Sequence, residues 1–95
     1  MAARAARELK DVSYVLELNE AFAAQVLGCL AEWPGFDPAI LNPQGAAIAL
    51  GHPLGASGAR LAGTVAQQLA RRGSCTGITT LCIGVGQGFA LVLER

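Results

Sequence analysis

The sequence predicts an α/β fold: a mixed sheet with helices on both faces, ending in an antiparallel hairpin. Three observations predict it. Segments with apolar residues three and four apart alternate with short runs rich in strand-forming residues, the order expected of an α/β chain. Residues 12–18 are apolar on both faces except for Glu17, the pattern of a strand covered on both sides. The last two strand-like runs, 75–83 and 88–94, are joined by a turn too short for a crossover, so they must run antiparallel.

The elements follow in order. Residues 2–10 predict a short helix, with Ala3, Ala6 and Leu9 on one side and Arg4, Arg7 and Lys10 around the other. Asp11 and Ser13 break it before the first strand. Asn19-Glu20 marks a switch from strand to helix, since Asn is a favoured N-cap and an acidic first turn suits the helix dipole. That helix is expected to reach about Glu32, with Phe22, Val26, Leu27 and Leu30 as its buried stripe. Two prolines and a glycine in residues 33–38 end it. Residues 40–42 suggest a brief strand, and 43–58 a long connection of small residues. A further helix is expected over 56–72. Its Leu61, Val65 and Leu69 lie four apart, Gln67, Gln68, Arg71 and Arg72 point outward, and Gly73 is its stop. No internal repeat or linker divides the chain.

Composition bounds the function. With 95 residues, 53% hydrophobic and 15% charged, the chain is more apolar than a small free-standing domain needs, so one face is expected to pack on something else. A sheet edge left unpaired would add to self-association. The formal net charge is zero. Without a basic stripe, nucleic acid is a poor partner. No apolar run approaches the roughly 20 residues of a membrane span, and the first residues lack a signal peptide's pattern. The plain reading is a cytoplasmic protein. Three cysteines without a C-x-x-C pair argue against a disulfide framework. A zinc site would need all three plus the lone histidine, and no ligand pair has finger spacing.

Two segments are candidates for chemistry. His52, the only histidine, lies in Gly51-His52-Pro53-Leu54-Gly55-Ala56-Ser57-Gly58-Ala59-Arg60, a glycine-dense turn that opens a helix. A lone loop histidine usually caps a backbone group. Four glycines within residues 45–58 suggest instead a tight geometry. There an imidazole can serve as base for a thiol and as donor to an oxyanion. Cys82 stands where a strand gives way to Gly84-Val85-Gly86-Gln87-Gly88. Side chains at such a place reach a cleft, and backbone N–H groups point at a ligand. Cys29 and Cys75 have the setting of packing residues. The glycine run precedes a strand and lacks the full G-x-G-x-x-G spacing, so it is not a dinucleotide site. Read from the residues alone, the chain is an α/β fragment with a Cys/His pair of candidates.

Four segments together resemble the thiolase family. They are Leu18-Asn19-Glu20-Ala21-Phe22-Ala23, Asn42-Pro43-Gln44-Gly45-Ala46-Ala47-Ile48-Ala49-Leu50, the His52 turn, and Cys82 through Gly88. They come in the family's order and cover most of residues 12–95. The Asn-Pro entry, the Gly-Val-Gly-Gln-Gly run and the Leu-Glu-Arg ending look most like thiolases that cleave 3-oxoadipyl-CoA. The resemblance implies acyl transfer between CoA thioesters, which are substrates, with no cofactor. A cysteine nucleophile is acylated, and CoA or the enolate of acetyl-CoA then takes the acyl group. On that pattern His52 takes the nucleophile's proton and helps form an oxyanion hole, and Asn19 holds the water that completes it. Cys82 shuttles a proton to or from the second substrate, and the Gly84 N–H contributes to the other oxyanion hole.

Departures from the family pattern matter as much. The nucleophilic cysteine belongs to the family's N-terminal half, and neither Cys29 nor Cys75 has its surroundings. The opening strand of the C-terminal half has no counterpart, and Ala46 replaces a usual glycine, where a methyl group would crowd the turn. Residues 1–95 therefore read as a partial, truncated thiolase C-terminal domain. Its expected partners are acyl-CoA, CoA and the missing N-terminal half or another thiolase subunit, the complete enzyme being an oligomer. The alternative is a non-catalytic fragment that only packs against a partner chain.

Overall fold

A three-stranded sheet carries the molecule, with helices against both faces. The computed structural model describes residues 14–73 and 75–95; the helix expected over 2–10 and the first residues of the first strand lie outside them. The described elements are β1 (Tyr14–Leu18), α1 (Ala23–Ala31), a 3-10 turn (Pro38–Ile40), α2 (Ala47–Leu50), α3 (Ser57–Arg72), β2 (Thr76–Gly84) and β3 (Gln87–Glu94).

The sheet order is β1-β2-β3. β1 and β2 run parallel, from Tyr14 opposite Thr76 to Leu18 opposite Thr80. β2 and β3 run antiparallel, from Thr76 opposite Glu94 to Gly84 opposite Gln87, with an irregularity between Cys82 and Gly84. The mixed sheet with an antiparallel tail is what the sequence predicts. The outer edge of β1 is covered by a single parallel bridge from Leu16 to Leu41. The brief strand expected over 40–42 is thus a 3-10 turn followed by that bridge.

Alternation along β1 divides the core in two, because successive strand side chains point to opposite faces. Val15 joins Val65, Leu69 and Cys75 on the α3 face, with Leu93 packed alongside. Leu16 and Leu18 join Trp33 and Ile78 on the other face, where Val26, Cys29 and Leu30 of α1 close over them. α3 buries Leu61, Val65 and Leu69 as its spacing predicts, and ends at Gly73, whose N–H bonds the Leu69 carbonyl at 3.1 Å. Gly77 of β2 faces this stripe so closely that a Cβ there would collide with Cγ1 of Val65.

Several expectations are corrected. α1 begins at Ala23 rather than after Asn19, because the Asn19 N–H continues the sheet to the Thr80 carbonyl at 2.9 Å. Its cap position is Phe22, extended and without a side-chain cap. The α1 stripe consists of Val26, Cys29 and Leu30, while Phe22 and Leu27 are exposed. Phe22 falls outside the helix as its cap, and Cys29 rather than Leu27 lies beside Val26 and Leu30 on the buried face. Gln68 is buried rather than outward, because its Nε2 donates to Oε1 of Glu17 at 2.6 Å. The connection over 43–58 contains α2. Its N-cap, Ala46, is buried, and its φ of −136° is negative, so the position does not call for glycine's left-handed freedom.

Candidate functional site

The end of β1 is pinned from outside the sheet. Asn42 accepts the Leu18 N–H on Oδ1 and donates from Nδ2 to the Leu18 carbonyl, both at 2.8 Å. Its φ of 48° is a left-handed value that asparagine tolerates better than most residues. That clamp fixes where Asn19 stands. Asn19 has no exposed surface, and neither Oδ1 nor Nδ2 has a hydrogen-bond partner among the described residues. A buried amide left unpaired costs about 1–3 kcal/mol. Glu20 does not support the start of α1. Its carboxylate accepts the N–H of Ile48 at 2.8 Å and so holds α2 instead.

The chain then turns sharply into the histidine. Gly51 closes α2 with φ 90°, a backbone state that glycine adopts without cost. His52 follows and is exposed. Its Nδ1 lies 2.6 Å from Oγ of Ser57. Ser57 is the first residue of α3 and has no exposed surface; its Oγ also reaches the Pro53 carbonyl at 3.2 Å. Gly55 and Gly58 do not mark tight packing within the chain, since a Cβ at either would meet nothing within 4 Å. They leave open surface beside His52.

Cys82 and Gly84 lie toward the same end of the sheet as Asn19, since β1 and β2 run parallel with Leu18 opposite Thr80, and there β2 leaves the core. The strand is buried from Thr76 to Thr80 and exposed from Cys82 onward. Cys82 lines an open groove of about 330 Å³ together with Leu18, Cys29, Trp33 and Thr80. Gly84 has φ 96°, and the turn continues through Val85 at φ 45° and Gly86 at φ 74°. All three cysteines are free thiols: Cys75 is buried in the core, Cys29 half-buried in the groove and Cys82 exposed. Among the described residues, none of Asn19, His52, Cys82 and Gly84 hydrogen-bonds another. The structure brings Asn19 and the strand bearing Cys82 together through the Asn19–Thr80 backbone bond, and carries His52 on a separate turn.

A buried polar cluster lies beneath. Glu17 has no exposed surface; burial holds its carboxyl above the usual carboxylate range, against the opposing pull of the Gln68 amide and the charge of Arg60, while the Glu20 charge adds to the rise. Sequence reasoning missed Ser57, Asn42 and Gln68 as supports. Ser57 left a signal, a hydroxyl five residues after the histidine at the first helical position. Asn42 left another, an asparagine before proline at a break in the apolar pattern.

Comparison with known proteins matches this framework. The family described as Thiolase, C-terminal domain, matches residues 2–95. The chain is 57% identical over 86 residues to the beta-ketoadipyl-CoA thiolase of Acinetobacter baylyi, covering 90% of this chain and 21% of that protein. It is 56% identical over 93 residues to the 3-oxoadipyl-CoA/3-oxo-5,6-dehydrosuberyl-CoA thiolase of Escherichia coli, covering 97% of this chain and 23% of that one. Among solved structures it resembles the peroxisomal 3-ketoacyl-CoA thiolase of Saccharomyces cerevisiae, with a TM-score of 0.77 and 44% identity over 85% of this chain and 23% of that chain. The chain spans about a fifth of the length of the curated relatives it matches.

Proposed function

Because this chain belongs to the thiolase family through its C-terminal domain, we propose that it supplies the base, the proton shuttle and the oxyanion donors of an acyl-transfer site whose nucleophilic cysteine comes from another segment. The reaction is thiolytic cleavage of a 3-ketoacyl-CoA, or the reverse Claisen condensation, with a 3-oxoadipyl-type acyl chain suggested by the named relatives. His52 takes the nucleophile's thiol proton on Nε2. The thiolate adds to the ketone carbon, and the carbon–carbon bond breaks to release the enolate of acetyl-CoA. Cys82 protonates that enolate, and its thiolate then takes the proton of the incoming CoA thiol, which attacks the acyl-enzyme. The Asn19 amide, through a water, and the Gly84 N–H stabilise the two oxyanions. Each such donor is worth on the order of 3 kcal/mol when aimed before the charge develops.

The observation that carries this reading is Asn19: a fully buried amide with neither polar atom partnered among the described residues. A residue retained only for packing would not bring that cost, and an amide kept for an external polar contact would. The open glycine surface beside His52 agrees with an approach by substrate or by a second segment.

A second reading has its own support. Ile83, Val85, Phe89 and Val92 are 57%, 93%, 53% and 49% exposed along the hairpin. Such a surface suits a piece that packs on a partner chain without turning over substrate. A thiolysis assay separates the two. Loss of acetoacetyl-CoA and 3-oxoadipyl-CoA is followed with free CoA, using the chain alone and the chain mixed with a separately expressed thiolase N-terminal half. The expected result is activity in the mixture alone, abolished by His52→Ala or Cys82→Ala. A folded, bound mixture without activity would establish the packing role and end the catalytic one.

A further inference from the structure

We propose that Ser57 is a positioning residue that fixes the tautomer of His52, keeping the proton on Nδ1 and leaving the lone pair on Nε2. The inference rests on the reading of His52 as base and goes beyond it by naming the group that makes Nε2 the basic atom.

The local fold explains why a serine stands there. Pro53 stiffens the turn, and its carbonyl accepts the N–H groups of both Ala56 and Ser57 at 2.9 Å, which starts α3. The cap position of that helix is Ala56, with no side-chain cap. The Ser57 hydroxyl is therefore not spent on capping, the usual use of serine at a helix start. It is buried with no exposed surface, and a buried hydroxyl needs partners. It has two, His52 Nδ1 at 2.6 Å and the Pro53 carbonyl at 3.2 Å.

A hydroxyl has one proton to give. The carbonyl can only accept, so the arrangement in which both Oγ contacts are hydrogen bonds runs one way: Nδ1–H donates to Oγ, and Oγ–H donates to the Pro53 oxygen. The reverse arrangement, with Oγ–H aimed at Nδ1, turns an Oγ lone pair toward the carbonyl oxygen. In the favoured direction the two bonds also polarise each other. His52 makes no other hydrogen bond among the described residues, so Nε2 stays available.

Chemically, Ser57 takes the orienting place that a carboxylate holds in a hydrolase triad. When Nε2 accepts a thiol proton, the imidazolium needs an acceptor at Nδ1–H, and Ser57 already provides it. Being neutral, it does not hold the imidazolium as strongly as a carboxylate would, so the same Nε2–H remains a donor that can return its proton.

The test uses the single histidine, whose ring nitrogens need no assignment by mutagenesis. Long-range proton–nitrogen correlation of the uniformly nitrogen-15-labelled 95-residue chain, above the imidazole titration, reads the tautomer directly; magic-angle spinning serves if the chain sediments. The expected spectrum has a pyrrole-type Nδ1 and a pyridine-type Nε2. Ser57→Ala should move the ratio several-fold toward Nε2–H, the form an unconstrained histidine side chain prefers, and Ser57→Thr should restore it. A wild-type spectrum dominated by Nε2–H overturns the proposal. So does an unchanged tautomer in folded Ser57→Ala, or equal loss in both variants. Should Ser57→Ala fail to fold, the wild-type and Ser57→Thr spectra decide. In the complemented thiolysis assay, Ser57→Ala should lower kcat by roughly 10- to 100-fold with KM little changed, the range for removing a group that orients a histidine. An Nδ1–H tautomer without complemented activity would remove the catalytic reading and leave this assignment standing; activity with an Nε2–H tautomer would do the reverse.

Discussion

The two ends of β2 are built for different purposes. From Thr76 to Thr80 the strand is buried, paired on both sides and packed on both faces. From Cys82 it runs into exposed apolar residues and three consecutive positive-φ positions. One strand thus joins a core that closes on its own to a tip whose apolar side chains and chemical groups face outward. The contrast teaches that a closed, packed stretch and an open, exposed one are separated along a single element, so substitutions at the two ends should report on different properties.

The largest effect is expected at the closed end. Gly77→Ala places a methyl against Val65, with Leu69 next to it. Overpacking of this kind costs about 1–3 kcal/mol, read as a lower urea midpoint with an unchanged slope. Val65→Ala added to Gly77→Ala should recover part of the loss, because the collision is with that side chain. An unaffected midpoint in Gly77→Ala would mean that α3 sits less tightly on the sheet than the structure shows.

At the open end the sign reverses. Val85 occupies a left-handed conformation at φ 45° while 93% exposed. A β-branched residue pays for that state without recovering it in burial. Val85→Asn should therefore stabilise the hairpin by about 1 kcal/mol, as asparagine suits the first position of such a two-residue loop. A destabilised Val85→Asn chain would show that the valine has a packing partner.

These contrasts set what could be read from the sequence. Periodic elements were legible: the Leu61, Val65, Leu69 stripe, the Gly73 stop and the closing hairpin all stand where spacing places them. Gln68 was not, because seven residues beyond Leu61 fall only slightly short of two helical turns, and a polar side chain beside the stripe is buried once a partner such as Glu17 meets it. The start of α1 was misread because Asn19 looks like a cap locally, while the sheet bond to Thr80 is a contact across 61 residues that no local signal carries. At the candidate site, His52, Cys82, Asn19 and Gly84 could be named from the sequence. Ser57 and Asn42 left only positional signals, since a hydroxyl or amide reveals its partner only when the turn is folded.

Glu17 gives a test in pH. Its folded-state carboxyl is raised by burial above the ordinary value of 4.5. A group raised in the fold contributes stability that is fully present below its unfolded pKa and lost as pH rises through its folded pKa. The chain should thus lose stability as pH rises above 4.5, and Glu17→Gln, which keeps an acceptor for Gln68, should flatten that slope. If wild type and Glu17→Gln have parallel pH profiles, the carboxyl is better solvated than its burial implies.

The smallest effect on stability, and the sharpest on assembly, is expected from Ile83→Thr with Phe89→Thr. Both residues are more than half exposed, at 57% and 53%, on the outer stretch of the hairpin. Threonine retains a strand-forming side chain while removing apolar surface. Exposed substitutions away from caps and cores shift stability by about 0.5 kcal/mol or less. Sedimentation of the double variant should show less self-association than wild type at equal concentration, and binding to a thiolase N-terminal half should weaken in parallel. If both associations persist unchanged, the contact surface lies elsewhere, and the exposed apolar side chains around α2 and the His52 turn, Ile48, Leu50 and Leu54, become the next to replace. If self-association falls while partner binding holds, the hairpin tip contacts other copies of the chain and the partner sits on another surface, for which exposed Leu54, two residues from His52, is the first side chain to replace.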